Sequence, residues 1–375
     1  MKSIPSLLVF PATTDAALDV PELVRDRGEA IVLASSVLDR LETRHGWRAV
    51  ERLPSIYDPG FEAAFADLAA RHNVRRVYCS VASVFAHLSA LVESGRVAVT
   101  LIGDSPQRRV IDSFQALQLR AKTLFSFAQT CCPGIPAGRF PDLVGMLMLS
   151  GQVYGESSDE KLAAFFAMMN TAVDGDVVEI GSLMGRSALA LAYLGQRYGV
   201  GPVLAVDPWS RESAVQHDSP ALIQALPDGW DLEQVFAVFL ANLQMVPRGS
   251  ANYIRGTSVA AAQRYRPGLR LDTELGDTRY CGRIAVIHID GNHDYAAVRA
   301  DCAAWLSAMQ PWGWVVLDDY VWAHGDGPRR MGDELLASCG PDIEQAFTCG
   351  KALFLRLGAD VATLHRWAAA LGAPK

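Results

Sequence analysis

The fold of this chain is decided by residues 177–187, which read VVEIGSLMGRS. The apolar run at 177–180 predicts a buried strand, and the apolar spacing after Gly185 predicts a helix. Small residues in the intervening loop let the backbone approach a ligand, and a helix amino terminus offers free N–H donors. A dinucleotide-binding loop would read GxGxxG. The ExGxxxG pattern found here, with Glu179 before the first glycine, suits a cationic ligand better than a diphosphate.

Strands and helices alternate on both sides of this stretch. Strands are predicted at 177–180, 203–206, 251–254, 284–289 and 314–317, and helices at 162–171, 186–198, 231–243 and 296–309. The segments 343–348 and 352–356 flank Cys349-Gly350, which indicates a terminal antiparallel hairpin. The sequence therefore predicts an α/β fold with a doubly wound, Rossmann-like sheet. Ligands of such sheets bind outside the carboxyl ends of the strands.

The second predicted strand ends in the segment VDPW, residues 206–209. Asp207 follows Gly185 by 22 residues, and an acid at this position is the expected acceptor for ribose hydroxyls. A GxxxG pattern alone often means only close helix packing. Combined with Glu179, Asp207 and the strand order, it indicates a nucleoside cofactor.

At these residues the chain resembles the class I S-adenosylmethionine-dependent methyltransferases. The resemblance implies that Glu179 and Gly181 lie near the amino-acid part of S-adenosylmethionine and that Asp207 holds its ribose. It also implies that the segment RGTS, residues 255–258, passes near the adenine. The expected cofactor-binding residues are Glu179, Gly181, Ser182, Gly185, Ser187, Asp207, Gly256, Ser258 and Asp290.

Two acidic segments follow the fourth and fifth predicted strands: IHIDGNHDY at 287–295 and VVLDDY at 315–320. Neighbouring strands bring Asp290 together with Asp318 and Asp319. An oxygen-only site of this kind suits Mg²⁺ or Mn²⁺, and like charges so close repel and raise their pKa values without a cation. His293 is the candidate general base for a hydroxyl held on that metal. The alternatives are a turn or helix cap for the acidic pair and a packing role for the histidine.

These two segments are similar to those of the metal-dependent sugar O-methyltransferases of the macrocin and mycinamicin type. They are also similar to cephalosporin hydroxylase-like and rhamnosyl O-methyltransferase proteins. The resemblance covers about residues 151–375 and implies Asp290, Asp318 and Asp319 as metal ligands and His293 as the base. It departs from the family at PWGW, residues 311–314, where a Pro-Gly-Gly turn is usual.

The expected activity is therefore methyl transfer from S-adenosylmethionine to a hydroxyl of a sugar-bearing natural product or glycan, dependent on Mg²⁺ or Mn²⁺. The alternatives are a metal-independent small-molecule methyltransferase and a catalytically silent cofactor-binding subunit. The substrate is expected to be a small hydroxylated, glycosylated molecule, and the protein a homo-oligomer.

Residues 1–108 are predicted to form a small α/β auxiliary domain, 109–150 a helical connector and 151–375 the methyltransferase domain. In the first region, strands are predicted at 6–10, 30–34, 77–81 and 97–102, and helices at 15–27, 37–45, 60–72 and 83–94. No glycine-rich phosphate loop and no catalytic constellation occur there. The expected role is substrate contact, oligomerisation or architecture.

Two polar insertions, 209–228 and 264–282, are predicted to cover the ligand edge of the sheet. The candidate substrate contacts are Tyr154, Trp209, His217, Tyr320, Trp322 and His324. His288 is expected to face the core from within its strand. Asp326 is either near the metal or part of a turn, because glycines flank it.

The net charge is −7, from 34 basic and 41 acidic residues, and no basic run occurs. This argues against a nucleic-acid partner, since phosphate binding needs a concentrated basic face. The seven cysteines show no CxxC pattern, which is typical of reduced thiols in a cytoplasmic protein. No apolar stretch of about 18 residues occurs, and the amino terminus has no signal-like region, so neither membrane insertion nor secretion is expected.

Overall fold

The computed structural model describes residues 4–13, 28–43, 46–135 and 138–372. The chain divides into two compact units, Met1–Ala116 and Leu117–Lys375. The division falls inside one long helix, Pro106–Cys131, which covers much of the predicted connector. The domain borders at 108 and 150 stay predictions. The helix predicted at 15–27 lies outside the described residues.

The described part of the first unit is an α/β structure. Its strands are β1 (Ser6–Val9), β2 (Ala30–Ser35), β3 (Arg40–Thr43), β4 (Gly46–Ala49), β5 (Glu51–Arg52), β6 (Val74–Tyr78) and β7 (Thr100–Leu101). A parallel sheet has the order β5-β2-β1-β6-β7, and the helices are α1 (Phe61–Arg71) and α2 (Ala82–Glu93). Buried side chains from these elements form two clusters, one of them containing Phe61, Phe65 and Leu88.

The helix predicted at 37–45 is wrong. The segment contains strand β3, which pairs antiparallel with β4. Arg40, Leu41, Glu42 and Thr43 alternate between polar and apolar or β-branched residues, which is the period of a strand. Leu41 is buried while Val37 is exposed, so the apolar residues counted toward a helix do not share one face.

The second unit contains a seven-stranded sheet. Its strands are β8 (Asp176–Ile180), β9 (Val203–Asp207), β10 (Ala251–Arg255), β13 (Ile284–Ile289), β14 (Met309–Leu317), β15 (Ile343–Cys349) and β16 (Ala352–Leu357); a separate hairpin pairs β11 (Arg270–Thr273) with β12 (Gly276–Arg279). The sheet order is β10-β9-β8-β13-β14-β16-β15. Its first five strands are parallel, and β16 pairs antiparallel with both β14 and β15. The predicted doubly wound sheet with a terminal hairpin is therefore confirmed.

Helices precede, connect and follow these strands. They are α3 (Pro106–Cys131), α4 (Phe140–Ser150), α5 (Asp159–Thr171), α6 (Arg186–Tyr198), α7 (Arg211–Ala214), α8 (Ala221–Gln224), α9 (Leu232–Leu243), α10 (Ser258–Arg264), α11 (Tyr295–Trp305), α12 (Gly327–Cys339) and α13 (Ala362–Leu371). The buried side chains form two clusters, and successive residues of β8 alternate between them: Val177 belongs to one, Val178 to the other. Because side chains alternate across a strand, the sheet carries a packed core on each face.

The insertion 264–282 does not cover the ligand edge, so that prediction is wrong. It contains the β11–β12 hairpin, and its end is fixed to the first residues of β8 and β9. Asp176 accepts hydrogen bonds from the backbone N–H groups of Cys281 at 2.9 Å and Gly282 at 2.7 Å. Tyr280 donates its hydroxyl to the carbonyl of Val203 at 2.8 Å. These bonds lie at the amino ends of the strands, the edge opposite to the ligand edge.

Within the described residues, no helix has both the length and the apolar composition needed to cross a bilayer. All seven cysteines are free thiols, as expected from their spacing.

Candidate active site

A cavity of about 480 Å³ opens at the carboxyl ends of the parallel strands of the second unit. Its wall includes Gly181 after β8, Asp207 at the end of β9, Ser258 after β10, Asp290 after β13 and Asp318 after β14. All five strand ends therefore contribute, as expected for a doubly wound sheet.

Two glycines of the first loop have different structural roles. Gly181 has φ +80°, and a Cβ there would lie 2.1 Å from the carbonyl oxygen of Asp290. Only glycine lets the β8 loop approach the β13 loop so closely. Gly185 has φ +86° at the start of α6, where a Cβ would meet Leu243 and Phe239. Gly181, Ser182 and Ser187 line the cavity, whereas Gly185 packs against α9.

Glu179 lies behind the cavity wall. It is fully buried, accepts a hydrogen bond from the Ser182 hydroxyl at 2.8 Å, and its other carboxylate oxygen lies 3.1 Å from Nδ1 of His288. His288 faces the core as expected, and burial lowers its pKa. Glu179 reaches the cavity only through its hydrogen bond with Ser182. Its predicted position near the amino-acid part of the cofactor stays a prediction.

Asp207 joins the first two strand ends. One carboxylate oxygen accepts the N–H groups of Ser182 at 2.9 Å and Leu183 at 3.1 Å, and the other accepts the N–H of Trp209 at 2.7 Å. Burial raises its pKa even though these three bonds oppose the shift. A carboxylate can accept about four hydrogen bonds, so a lone pair remains for a ribose hydroxyl.

The third strand end supplies Thr257 and Ser258 to the cavity wall, but not Gly256. Thr257 caps α10 by accepting the N–H of Ala260, and Ser258 accepts a hydrogen bond from Trp305 at 2.9 Å. Asp301 of α11, which the sequence did not single out, also lines this part of the cavity. It is buried, and burial raises its pKa to about 7.

The three acids expected to bind a metal do converge, but a lysine lies among them. We call Asp290, Asp318 and Asp319 the acid cluster. Nζ of Lys161, on α5, lies 2.5 Å from Oδ2 of Asp318 and 3.4 Å from Oδ2 of Asp290. Lys161 is only 3% exposed. Burial acts to lower its pKa, but the charges of Asp290 and Asp318 outweigh burial and raise it.

The two carboxyl groups beside Lys161 are shifted in opposite directions. Burial acts to raise the pKa of Asp318, but the Lys161 ammonium lowers it well below its usual range. Burial and the charge of Asp318 raise the pKa of Asp290. One carboxyl group that keeps its proton to higher pH and one that stays ionised to lower pH therefore lie side by side at this edge of the cavity.

His293 forms a pair with Asp319. Its Nε2 lies 3.0 Å from Oδ2 of Asp319, and its buried Nδ1 has no hydrogen-bond partner. Burial lowers the pKa of His293, so the ring is neutral near pH 7. Oδ1 of Asp319 lies 2.7 Å from Nζ of Lys351. Asp319 also has φ +51°, a conformation that non-glycine residues rarely adopt and that often marks functional sites.

The described residues offer two donor sets for a cation. Ligand atoms of His288, Asp290 and Asp318 lie within 4.8 Å of one another, and so do those of Asp290, His293 and Asp319. Oδ1 of Asp318 is buried without a hydrogen-bond partner. Carboxylates with one imidazole fit a hard divalent ion. Lys161 and Lys351, however, already supply positive charge to the acid cluster.

The insertion 209–228 borders the cavity, as predicted, and the residues on either side of His293 hold it there. Asn292 donates its side-chain amide to the carbonyls of Ser213 at 3.1 Å and Val215 at 2.7 Å. Asp294 accepts the backbone N–H groups of His217 at 2.9 Å and Asp218 at 2.7 Å. The loop that carries the candidate base is therefore bonded to the segment above the cavity.

The structure brings some of the candidate substrate residues to the cavity and not others. Tyr154, Trp209 and Trp322 line it. Trp209 is almost fully buried and packs against Phe236 and Phe239, so it builds the wall.

The remaining candidates point elsewhere. The described cavity wall does not include His217, Tyr320 or His324. Tyr320 donates its hydroxyl to Asp333, and His324 packs on Trp322. Asp326 is largely exposed, 3.9 Å from Arg330, and is not in either donor set. Asp326 is the residue that precedes helix α12, and its backbone carbonyl accepts the N–H of Arg330.

Residues 178–320 match the family model described as a methyltransferase domain. This match confirms the predicted methyltransferase domain over these residues. No curated protein sequence matches the chain.

Several solved structures are similar to the chain. The O-methyltransferase NovP is 15% identical over 64% of this chain and 99% of its own, with a TM-score of 0.42. The calicheamicin methyltransferase CalS11 is 16% identical over 68% and 94%, with a TM-score of 0.36. MycE from the mycinamycin pathway, in complex with Mg, SAH and mycinamycin VI, is 16% identical over 58% and 55%, with a TM-score of 0.36. Similarities this remote transfer neither a metal nor a substrate to this chain.

Proposed function

We propose that this protein is an S-adenosylmethionine- and divalent-metal-dependent O-methyltransferase that acts on a hydroxyl of a small, sugar-bearing molecule. The observation that carries the proposal is the meeting of Asp290, Asp319 and His293 in the cavity that also contains the glycine loop and Asp207. One group of residues in the cavity wall is Asp290, Asp319 and His293, and the other is the glycine loop and Asp207. A hydroxyl bound between the two groups lies next to His293 as the proton acceptor and next to the strand ends proposed to bind the cofactor.

S-adenosylmethionine supplies the methyl group as a sulfonium, and a divalent ion supplies the acidity that a sugar hydroxyl lacks. The residues that would hold the ion are within the acid cluster, Asp290, Asp318 and Asp319. His293 accepts the hydroxyl proton at Nδ1, while the Asp319 carboxylate, 3.0 Å from Nε2, favours the tautomer that carries its proton on Nε2. General-base assistance of this kind contributes about 10²–10⁴ in rate; positioning in the cavity contributes the rest.

A hydroxylated ring compound fits the character of the cavity wall. Tyr154, Trp230 and Trp322 supply aromatic surface, and Ser210, Ser213 and Gln216 of the insertion supply hydrogen-bonding groups. Aromatic surface packs on the apolar face of a ring, and a few polar groups fix its orientation. A homo-oligomeric state and a cytoplasmic location stay predictions.

A metal-independent methyltransferase is the second candidate, and one observation favours it. Lys161 pairs with Asp318 and Asp290, and Lys351 pairs with Asp319, so all three acids have a cationic partner without any metal. The repulsion that made a metal seem necessary from the sequence is partly relieved by these two side chains.

A chelator experiment separates the two candidates. The purified protein is incubated with labelled S-adenosylmethionine and a pool of glycosides, with EDTA or with excess Mg²⁺ or Mn²⁺. We expect transfer to stop in EDTA and to return with the metal, while S-adenosylmethionine binding, measured by calorimetry, persists. Full transfer in EDTA would leave the metal-independent candidate. Absence of S-adenosylmethionine binding would exclude both.

A further inference from the structure

Lys161 is placed in the acid cluster by the start of helix α5. The side chain of Ser158 caps the helix by accepting the N–H of Lys161 at 3.2 Å. Asp159 pairs with Arg186 at 3.3 Å and with Arg120 at 3.0 Å, so the first turn is held on its outer side. The next eight residues, Leu162–Met169, are all buried. The lysine therefore cannot turn away to solvent without moving the helix.

The ammonium contacts two of the carboxylates that are proposed to hold a divalent ion. Its two partners are Oδ2 of Asp318 and Oδ2 of Asp290, and Nζ also lies over the ring of Phe165, 5.7 Å from the ring centre. A buried charge is tolerated only when it is paired. Lys161 and the acid cluster therefore stabilise one another before any metal binds.

The position of Lys161 divides the two donor sets. The set of His288, Asp290 and Asp318 contains both partners of the lysine, whereas the set of Asp290, His293 and Asp319 contains only one of them. We propose that Lys161 is a built-in cation that occupies the Asp318 side of the acid cluster, directs a divalent ion to Asp290 and Asp319, and weakens its binding. This inference rests on the proposed function, since it concerns the metal site of that function.

Removing the charge of Lys161 should therefore tighten metal binding. The positive ammonium repels a divalent ion a few ångströms away, and solvent and relaxation weaken this repulsion without removing it. We expect the dissociation constant for Mn²⁺ to fall at least about tenfold in Lys161→Met, which keeps the length and apolar stem of the side chain.

The measurement is Mn²⁺ binding to the full-length protein, followed by the electron paramagnetic resonance signal of free Mn²⁺, without S-adenosylmethionine or substrate. The control is Lys122→Met, at an exposed position of α3, which should leave the dissociation constant unchanged. A Lys161→Met protein that binds Mn²⁺ as the wild type does, or more weakly, would overturn the inference while leaving the proposed function in place. If neither the wild type nor Lys161→Met binds Mn²⁺, the inference and the metal dependence in the proposed function are both overturned.

A second pair of variants keeps the test open if Lys161→Met does not fold. Asp318→Asn and Asp319→Asn are compared in the presence of Lys161. We expect Asp319→Asn to lose at least about tenfold more Mn²⁺ affinity than Asp318→Asn, because Lys161 keeps Asp318 from the ion. Equal losses, or the larger loss in Asp318→Asn, would overturn the inference.

Discussion

Nε2 of the His293 imidazole lies 3.0 Å from Oδ2 of Asp319, and its Nδ1 has no hydrogen-bond partner. Asp319 therefore sets which ring nitrogen carries the proton and leaves the other as an acceptor. The other carboxylate oxygen of Asp319 lies 2.7 Å from Nζ of Lys351, and the residue has φ +51°, a backbone conformation that is rare outside glycine.

Replacing His293 with alanine should abolish most methyl transfer and spare cofactor binding. The imidazole lines the cavity and has an unpartnered ring nitrogen that can accept a proton next to the acid cluster, and loss of a general base costs about 10²–10⁴ in rate. Single-turnover kinetics and calorimetry with S-adenosylmethionine measure the two effects. His217→Ala, at an exposed histidine outside the cavity wall, is the control and should change turnover little. Unaltered turnover in His293→Ala would remove His293 as the base.

The acid side of the pH profile should report the same imidazole. Burial lowers the pKa of His293 below its ordinary 6.5, although the charge of Asp319 opposes the shift. A base acts in its unprotonated form, so kcat/KM should fall as the pH decreases through this lowered pKa, and not before. The measurement is kcat/KM between about pH 5 and pH 9. A midpoint of the kcat/KM profile at or above pH 6.5 would contradict the lowering of the His293 pKa by burial.

Local patterns predicted much of this fold because its signals lie close together in the sequence. Strand β13 and helix α6 occupy the predicted residues, and the convergence of Asp290 with Asp318 and Asp319 followed from neighbouring parallel strands. Lys161 was not predicted, because its partners lie 129 and 157 residues away along the chain. Its one local signal is a lysine that comes directly before the apolar run Leu162–Met169. Glu179 was expected at the cofactor, but its carboxylate turns inward to Ser182 and His288.

Gly181→Ala should destabilise the second unit strongly. The added Cβ would lie 2.1 Å from the backbone oxygen of Asp290 at φ +80°, so both strand-end loops must move. We expect a loss of more than about 3 kcal/mol in the free energy of unfolding, measured by urea denaturation. Gly256→Ala is the matched control, since a Cβ there meets only Ile254 Cγ2 at 3.9 Å. Similar losses in the two variants would show that the close approach is not what requires glycine.

Asp294→Ala should release the insertion above the cavity. The carboxylate accepts the N–H groups of His217 and Asp218 and does not cap its own helix, so removing it leaves both N–H groups without this partner. Charge-assisted hydrogen bonds are worth about 1.5–3 kcal/mol, which corresponds to amide exchange roughly 10–100 times faster at these two positions. Hydrogen exchange by mass spectrometry measures it. Asp326→Ala, at an exposed carboxylate, is the control; unchanged exchange in Asp294→Ala would show that other contacts hold the insertion.

Asp301→Asn should stabilise the protein more at high pH than at low pH. Burial raises the pKa of Asp301 from 3.8 to about 7 in the folded protein. Above pH 3.8 the carboxyl therefore loses its proton more readily in the unfolded chain than in the folded one. This lowers the free energy of unfolding by an amount that grows up to about pH 7 and stays constant above it. At 1.36 kcal/mol per pKa unit, the penalty grows by roughly 2–3 kcal/mol between pH 5 and pH 8. Asparagine has nearly the same shape and does not titrate, so the gain in unfolding free energy over the wild type should grow by this amount. Urea denaturation of both proteins at the two pH values measures it, and an equal difference at both would mean that Asp301 titrates alike in the folded and unfolded chains.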